Sequence, residues 1–123
     1  MSVLIVDDEL PIRDSIRDAL EDEGHRTMVA ADGFEALEHL KANDDIDALI
    51  VDLLMPRMNG IELLKTISTV PELAEIPVII VTSDPSHAPA GHTVLRKPVR
   101  LEAILDTVKR VVAARHAGRG GEA

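Results

Sequence analysis

Three runs of four consecutive apolar residues constrain this chain most: Val3-Leu4-Ile5-Val6, Ala48-Leu49-Ile50-Val51 and Val78-Ile79-Ile80-Val81. Each is too short for a buried helix, rich in β-branched residues and bounded by polar or turn-forming positions. Such runs read as strands covered on both faces, as in a parallel sheet. Two weaker strands are expected at 25–30 and at Thr93-Val94-Leu95-Arg96.

Helical spacing fills the intervals. Pro11 suits a first helical turn, and Ile12, Ile16, Ala19 and Leu20 recur behind it, with Gly24 as the terminating residue. Asp32 is placed to cap a helix carrying Phe34, Ala36, Leu37 and Leu40. Asn59 is placed to cap one carrying Ile61, Leu63, Leu64 and Ile67. Leu101, Ile104, Leu105, Val108, Val111 and Val112 form a long amphipathic last helix. Pro71 and Pro77 bracket a connecting segment. Residues 83–92, with Pro85, Pro89 and Gly91 and no apolar period, read as loop.

Strands alternating with helices predict an α/β fold, a doubly wound five-stranded parallel sheet. We take the flavodoxin-like order 2-1-3-4-5, in which ligands bind beyond the C-terminal strand ends where the order reverses. The predicted domain is 1–117, with 118–123 as a disordered tail. The chain has 123 residues and no cysteine, which excludes disulfides and thiol chemistry. A net charge of -9 argues against nucleic acid or an anionic membrane surface as partner. The apolar runs are too short to span a bilayer, and the first runs directly into Asp7-Asp8-Glu9 rather than a cleavage site. A cytoplasmic protein is expected.

With that strand order, four strand ends converge: Asp7 and Asp8 after the first, Asp52 after the third, Thr82 closing the fourth and Lys97 after the fifth. A carboxylate pair at ~4 Å repels by roughly 4 kcal/mol at an effective dielectric of 20. The cluster needs a cation. Oxygen-only ligands facing solvent suit Mg²⁺, and Lys97 adds a second positive charge. With the Thr82 hydroxyl, these are the parts of a phosphoryl-transfer site in which Asp52 is the oxygen nucleophile. Singly each has an ordinary reading: Asp8 as a helix cap, Asp52 as a strand-end acid, Thr82 as a β-former, Lys97 as a solvated cation. Met55 and Met58 read as packing. The histidines at 25, 39, 87, 92 and 116 show no metal-ligand spacing and read as incidental.

Val-Asp-Asp-Glu at 6–9, Asp-x-x-Met-Pro-x-x-x-Gly at 52–60, Val-Thr-Ser at 81–83 and Lys-Pro at 97–98 together resemble the receiver domain of bacterial two-component response regulators. The resemblance runs from about Ser2 to Ala114. It implies that Asp52 takes a phosphoryl group from a histidine of a sensor kinase or phosphotransfer protein. It implies Mg²⁺ on Asp8, Asp52 and the Leu54 backbone carbonyl, with Asp7 acting through water. It makes Thr82 the switch hydroxyl and Lys97 the partner of the phosphoryl oxygens, ahead of a cis bond to Pro98. The protein would then be a signalling phospho-acceptor with only self-limited autophosphatase chemistry, not an enzyme in the turnover sense.

Three departures stand out. Lys97 follows Thr82 by only 15 positions, short of the family's usual length by roughly two helical turns, so the fourth helix is expected to be absent or reduced to a turn. Val94 stands where the family carries its switch aromatic. Leu54, two residues past the acceptor, offers no hydrogen bond to a hydrolytic water, so phosphoryl loss is expected to be slow. Because Met1 directly precedes the first strand and little follows the last helix, a stand-alone receiver that docks a partner or relays the group is expected. An excised receiver of a hybrid kinase fits equally. The alternatives are a pseudo-receiver that binds partners without phosphorylation, an aspartyl-phosphate phosphatase (disfavoured by Leu54 where a second acid is wanted) and an FMN carrier (disfavoured by acids after the first strand).

Overall fold

The structure is a computed structural model that describes residues 2–120. Its elements are β1 (Ser2–Val6), α1 (Leu10–Asp22), β2 (Arg26–Ala30), α2 (Gly33–Ala42), β3 (Ile46–Val51), α3 (Gly60–Ser68), α4 (Pro71–Ala74), β4 (Val78–Thr82), β5 (Thr93–Arg96) and α5 (Leu101–Gly120). The five strands are all parallel, in the order β2-β1-β3-β4-β5. This is the expected doubly wound sheet.

The strand alternation sorts side chains into two cores. Leu4, Val6, Leu49, Val51 and Ile80 face α2 and α3 with Ala36, Leu40, Leu63 and Ile67. Val3, Ile5, Ile50, Ile79 and Val81 face α1 and α5 with Ile16, Leu20, Ile104 and Val108. Every residue of β1, β3 and β4 is buried, which is why their sequences are apolar without a two-residue period. Each fully buried Val, Leu or Ile contributes ~1.5–3 kcal/mol, so this sandwich, rather than helix propensity, holds the fold. β5 lies at the edge and is only half-covered.

Helix ends follow local chemistry. Gly24, at φ 90°, closes α1 with its N–H on Glu21 O and the His25 N–H on Leu20 O, each at 3.0 Å. Asp32 caps α2 through Glu35 N, and Asn59 caps α3 in a reciprocal box with Glu62. The apolar stripe of α2 departs from expectation: Phe34 is exposed, and Ala36 and Leu40 carry the burial. The segment between Pro71 and Pro77 is not plain connection, because Pro71 starts the one-turn α4.

Between β4 and β5 there is no α-helix. A single 3-10 turn at Pro85–His87 replaces it, as the short interval and its prolines predict. At the other end of the chain α5 runs on through Gly120, so residues 118–120 of the expected tail continue the helix, and 121–123 lie outside the described residues. No helix among the described residues is long and apolar enough to cross a membrane.

Candidate functional site

The residues that close or follow the strands are held by the sheet itself. Asp7 N donates to Ala30 O (3.0 Å), Asp52 N to Val6 O (3.0 Å) and Lys97 N to Thr82 O (2.8 Å). Each is therefore fixed one position past a strand, still on its neighbour's ladder. The register brings the ends of β1, β3, β4 and β5 to one edge. The convergence inferred from strand order is realised.

Two turns then aim the carboxylates. Asp7 Oδ1 accepts from Glu9 N at 2.8 Å, and Asp52 Oδ1 accepts from Leu54 N at 3.1 Å. These are side-chain-to-backbone turns of the Asx kind, two residues apart. They leave the second oxygens to Lys97, whose Nζ lies 3.1 Å from Asp52 Oδ2 and 3.6 Å from Asp7 Oδ2. Glu9 completes the cation's surroundings at 3.2 Å, a partner not expected from the sequence. The Lys97–Pro98 peptide is cis.

Asp7 and Asp52 are buried, at 4% and 5% exposure, whereas Asp8 is exposed. Burial pushes the Asp7 carboxyl above its ordinary value. Asp52 and Glu9 add to the effect, and the Glu9 N–H and Lys97 only partly offset it. For Lys97 burial works against the charge, but the hydrogen bond to Asp52 and the nearby Asp7 outweigh it, so its ammonium is held above its usual range. The site is an acid cluster with one fixed cation.

Asp8 does not cap α1. The N-cap position is Glu9, and it makes no side-chain capping bond. Instead, oxygens of Asp7, Asp8 and Asp52 lie within 4.8 Å of one another. Three hard carboxylate oxygens this close, one of them solvent-facing, fit an oxygen-preferring divalent cation. Leu54 lies in the loop after β3 with its side chain exposed. Thr82 is buried and its hydroxyl accepts from Asp84 N at 3.2 Å.

The loop from Leu53 to Asn59 is anchored in two places. Gly60 sits so close to the backbone at Asp52 that a Cβ would meet Asp52 O at 2.5 Å and Leu53 Cα at 2.8 Å. On its far side Arg57, at φ 59°, pairs with buried Asp32 and reaches Glu35, while Gly33 N donates to Met58 O at 3.0 Å. Burial opposes the Asp32 charge, but the Glu35 N–H and the Arg57 guanidinium outweigh it and hold the carboxyl below its ordinary value. Asp32 was legible as a cap. Its pairing with Arg57 was not, since the two are 25 positions apart. Three histidines have defined partners: His39 with Val29 O (3.0 Å), His87 with Asp84 (2.7 Å) and His116 with Asp47 (3.2 Å).

Known proteins resemble this chain in sequence and fold over most of its length. The family model described as "Response regulator receiver domain" matches residues 3–109. "Response regulator MprA" of Mycobacterium avium is 32% identical over an alignment of 119 positions that covers 91% of this chain and 51% of that protein. The chain thus spans about half the length of this relative. "Chemotaxis protein CheY1" of Helicobacter pylori is 39% identical over 85 residues, 68% of each chain. Among solved structures, the signal receiver domain of a signal transduction histidine kinase from Syntrophus aciditrophicus superposes with a TM-score of 0.84 at 31% identity. That match covers 92% of this chain and 90% of the other. With the family's model matched over residues 3–109 of its 123, the chain belongs to the response regulator receiver domain family of two-component systems.

Proposed function

We propose that Asp52 is a phosphoryl acceptor, taking its group from a phosphohistidine of a sensor kinase or phosphotransfer protein. The observation that carries this reading is the Lys97 ammonium 3.1 Å from Asp52 in a cleft where Asp7 and Asp8 also converge. The Asp52 carboxylate forms the new P–O bond as the P–N bond of the donor breaks, leaving an acyl phosphate and a free imidazole. Asp8, Asp52 and the Leu54 carbonyl would hold Mg²⁺, with Asp7 one shell further out. When bound, the ion supplies positive charge where the phosphoryl oxygens arrive.

The chain's own residues do the rest. Lys97 is already held at the acceptor and pairs with the incoming oxygens. The group adds ~1.5–2 negative charges to a crowded acid cluster. Drawing the Thr82 hydroxyl toward it gives up the bond from Asp84 N, so the 3-10 turn at Pro85–His87 is the first segment to respond. With Val94 in place of the aromatic switch, output by docking or relay runs through this turn and the half-covered edge strand β5.

The test is labelling with a small acyl phosphodonor such as acetyl phosphate, read by intact mass. One phosphoryl group should add per chain in the presence of Mg²⁺ and none after chelation. A folded protein that takes up no label would leave the pseudo-receiver reading in its place. Steady release of phosphate from phosphomonoesters would instead make it a phosphatase.

A further inference from the structure

The turn that replaces the helix between β4 and β5 carries a side-chain arrangement outside the acid cluster. Asp84 Oδ2 lies 2.7 Å from His87 Nδ1. The other oxygen of Asp84 accepts from Ser86 N at 3.3 Å and from the Ser86 hydroxyl. The carboxyl of Asp84 is held below its ordinary range, first by Ser86 and then by His87. The imidazole is thus fixed through Nδ1, and Nε2 has no hydrogen-bond partner among the described residues. A carboxylate that orients an imidazole through Nδ1 leaves Nε2 as the proton acceptor.

That ring borders a pocket of about 200 Å³ on the acceptor side of the sheet, room for several waters at ~30 Å³ each. Leu53 and Leu54 form its wall from the loop after Asp52, Thr82 closes it from the end of β4, and Asp84 from the start of the turn beyond. The leucines have no hydrogen bond to give. Thr82 Oγ1 is engaged by Asp84 N, and Asn59 Oδ1 by Glu62 N at 2.9 Å. Asp84 is committed to His87 and Ser86. His87, whose Nε2 is without a hydrogen-bond partner among the described residues, is the lining group left to take a proton from water.

We propose that His87, held by Asp84, is the general base that activates the water hydrolysing the acyl phosphate of Asp52. This rests on the reading of Asp52 as the acceptor. The water oxygen forms a new P–O bond as the P–O bond to the Asp52 carboxylate breaks. The proton lost by the water passes to Nε2. The products are a free carboxylate and inorganic phosphate, and the imidazolium returns its proton to solvent. His87 is then a catalytic residue and Asp84 a positioning residue. The pair restores to this site the water-orienting capacity that Leu54 does not provide. The turn that senses phosphorylation through Thr82 would also time its end.

The experiment labels the protein with acetyl phosphate and Mg²⁺, removes the donor and follows loss of label by intact mass. The protein is compared with its His87→Ala, His87→Gln and Asp84→Asn variants. His87→Ala and His87→Gln should each slow the loss roughly tenfold. That is below the ~10²–10⁴-fold usual for general bases, because the open pocket leaves bulk water access. Asp84→Asn should slow it less. The solvent deuterium isotope effect on the loss should shrink in His87→Gln. Glutamine can still donate to Asp84 and cap the turn, but it cannot take a proton. If His87→Gln loses label as fast as the unsubstituted protein while His87→Ala does not, the imidazole is only a cap and the proposal is overturned. An unchanged lifetime in both overturns it too. Absence of label in the unsubstituted protein is a separate result: it removes the acceptor reading, and this one with it.

Discussion

Gly60→Ala is the substitution whose cost can be worked most directly from the structure. The φ of Gly60 is not in the left-handed region, so alanine is conformationally admissible, and in a helix it would ordinarily gain ~0.5–1 kcal/mol. Space decides against it. The added carbon would lie 2.5 Å from Asp52 O, 2.8 Å from Leu53 Cα and 3.0 Å from Val51 Cγ1, where ordinary contact begins at 3.4 Å. Two of those atoms are backbone, pinned by the Asp52–Val6 and Gly60–Leu53 hydrogen bonds at 3.0 Å. Relief needs a backbone shift of nearly an ångström at Asp52 itself. Overpacking of this kind costs ~1–3 kcal/mol, so after the helix gain a net loss of about 1–2 kcal/mol remains. For a chain of this length that lowers Tm by about 3–8 °C. Gly33→Ala is the internal control. There the obstacle is the Met58 side chain at 2.5 Å, a flexible group that can swing away. Urea and thermal unfolding of both variants measure the difference. Equal losses, or a neutral Gly60→Ala, would refute the close packing of α3 against the backbone at Asp52.

Other expectations follow from the electrostatics. Arg57→Gln removes the guanidinium that helps hold the Asp32 carboxyl below its ordinary value. Because a lowered folded value gives stability that is present above the unfolded value of ~4 and lost as pH falls through the folded one, the variant should be less stable at pH 7 and converge with the parent in acid, once pH has fallen through the lowered Asp32 value. The gap at neutral pH should be under ~1 kcal/mol, since the Arg57 side chain is 62% exposed, and urea midpoints at the two pH values check it. Lys97→Ala removes the fixed cation that touches Asp52, Asp7 and Glu9. Calorimetric titration should show Mg²⁺ binding severalfold tighter, by roughly 1 kcal/mol of lost Coulomb competition, while labelling by the phosphodonor slows.

The fold was legible because β1, β3 and β4 are buried on both faces and so are written as unbroken apolar runs. The site was legible for the same reason. Asp7, Asp52 and Lys97 each follow a strand directly, and strand order alone carries them to one edge. What stayed hidden was chemistry between segments that share no pattern. Arg57 and Asp32 meet only because the loop after β3 folds back over the start of α2. Glu9 joins Lys97 across the cleft from 88 positions away. Phe34 matched a helical period yet points outward, because Gly33 at the helix start is packed under Met58 and the buried face begins at Ala36. His87 carried no spacing signal at all. Its partner is its own turn, which exists because Pro85 and the short β4–β5 interval leave no room for a helix.

The central claim is that Asp52, and not one of its acidic neighbours, carries the phosphoryl group. The most direct measurement is peptide mapping of the labelled protein beside an Asp52→Asn variant checked for folding by circular dichroism. One modified site is expected, on the peptide containing Asp52, with no Mg²⁺-dependent label in the variant. Label that persists in Asp52→Asn, or that maps to Asp7 or Asp8 in the parent, would contradict it.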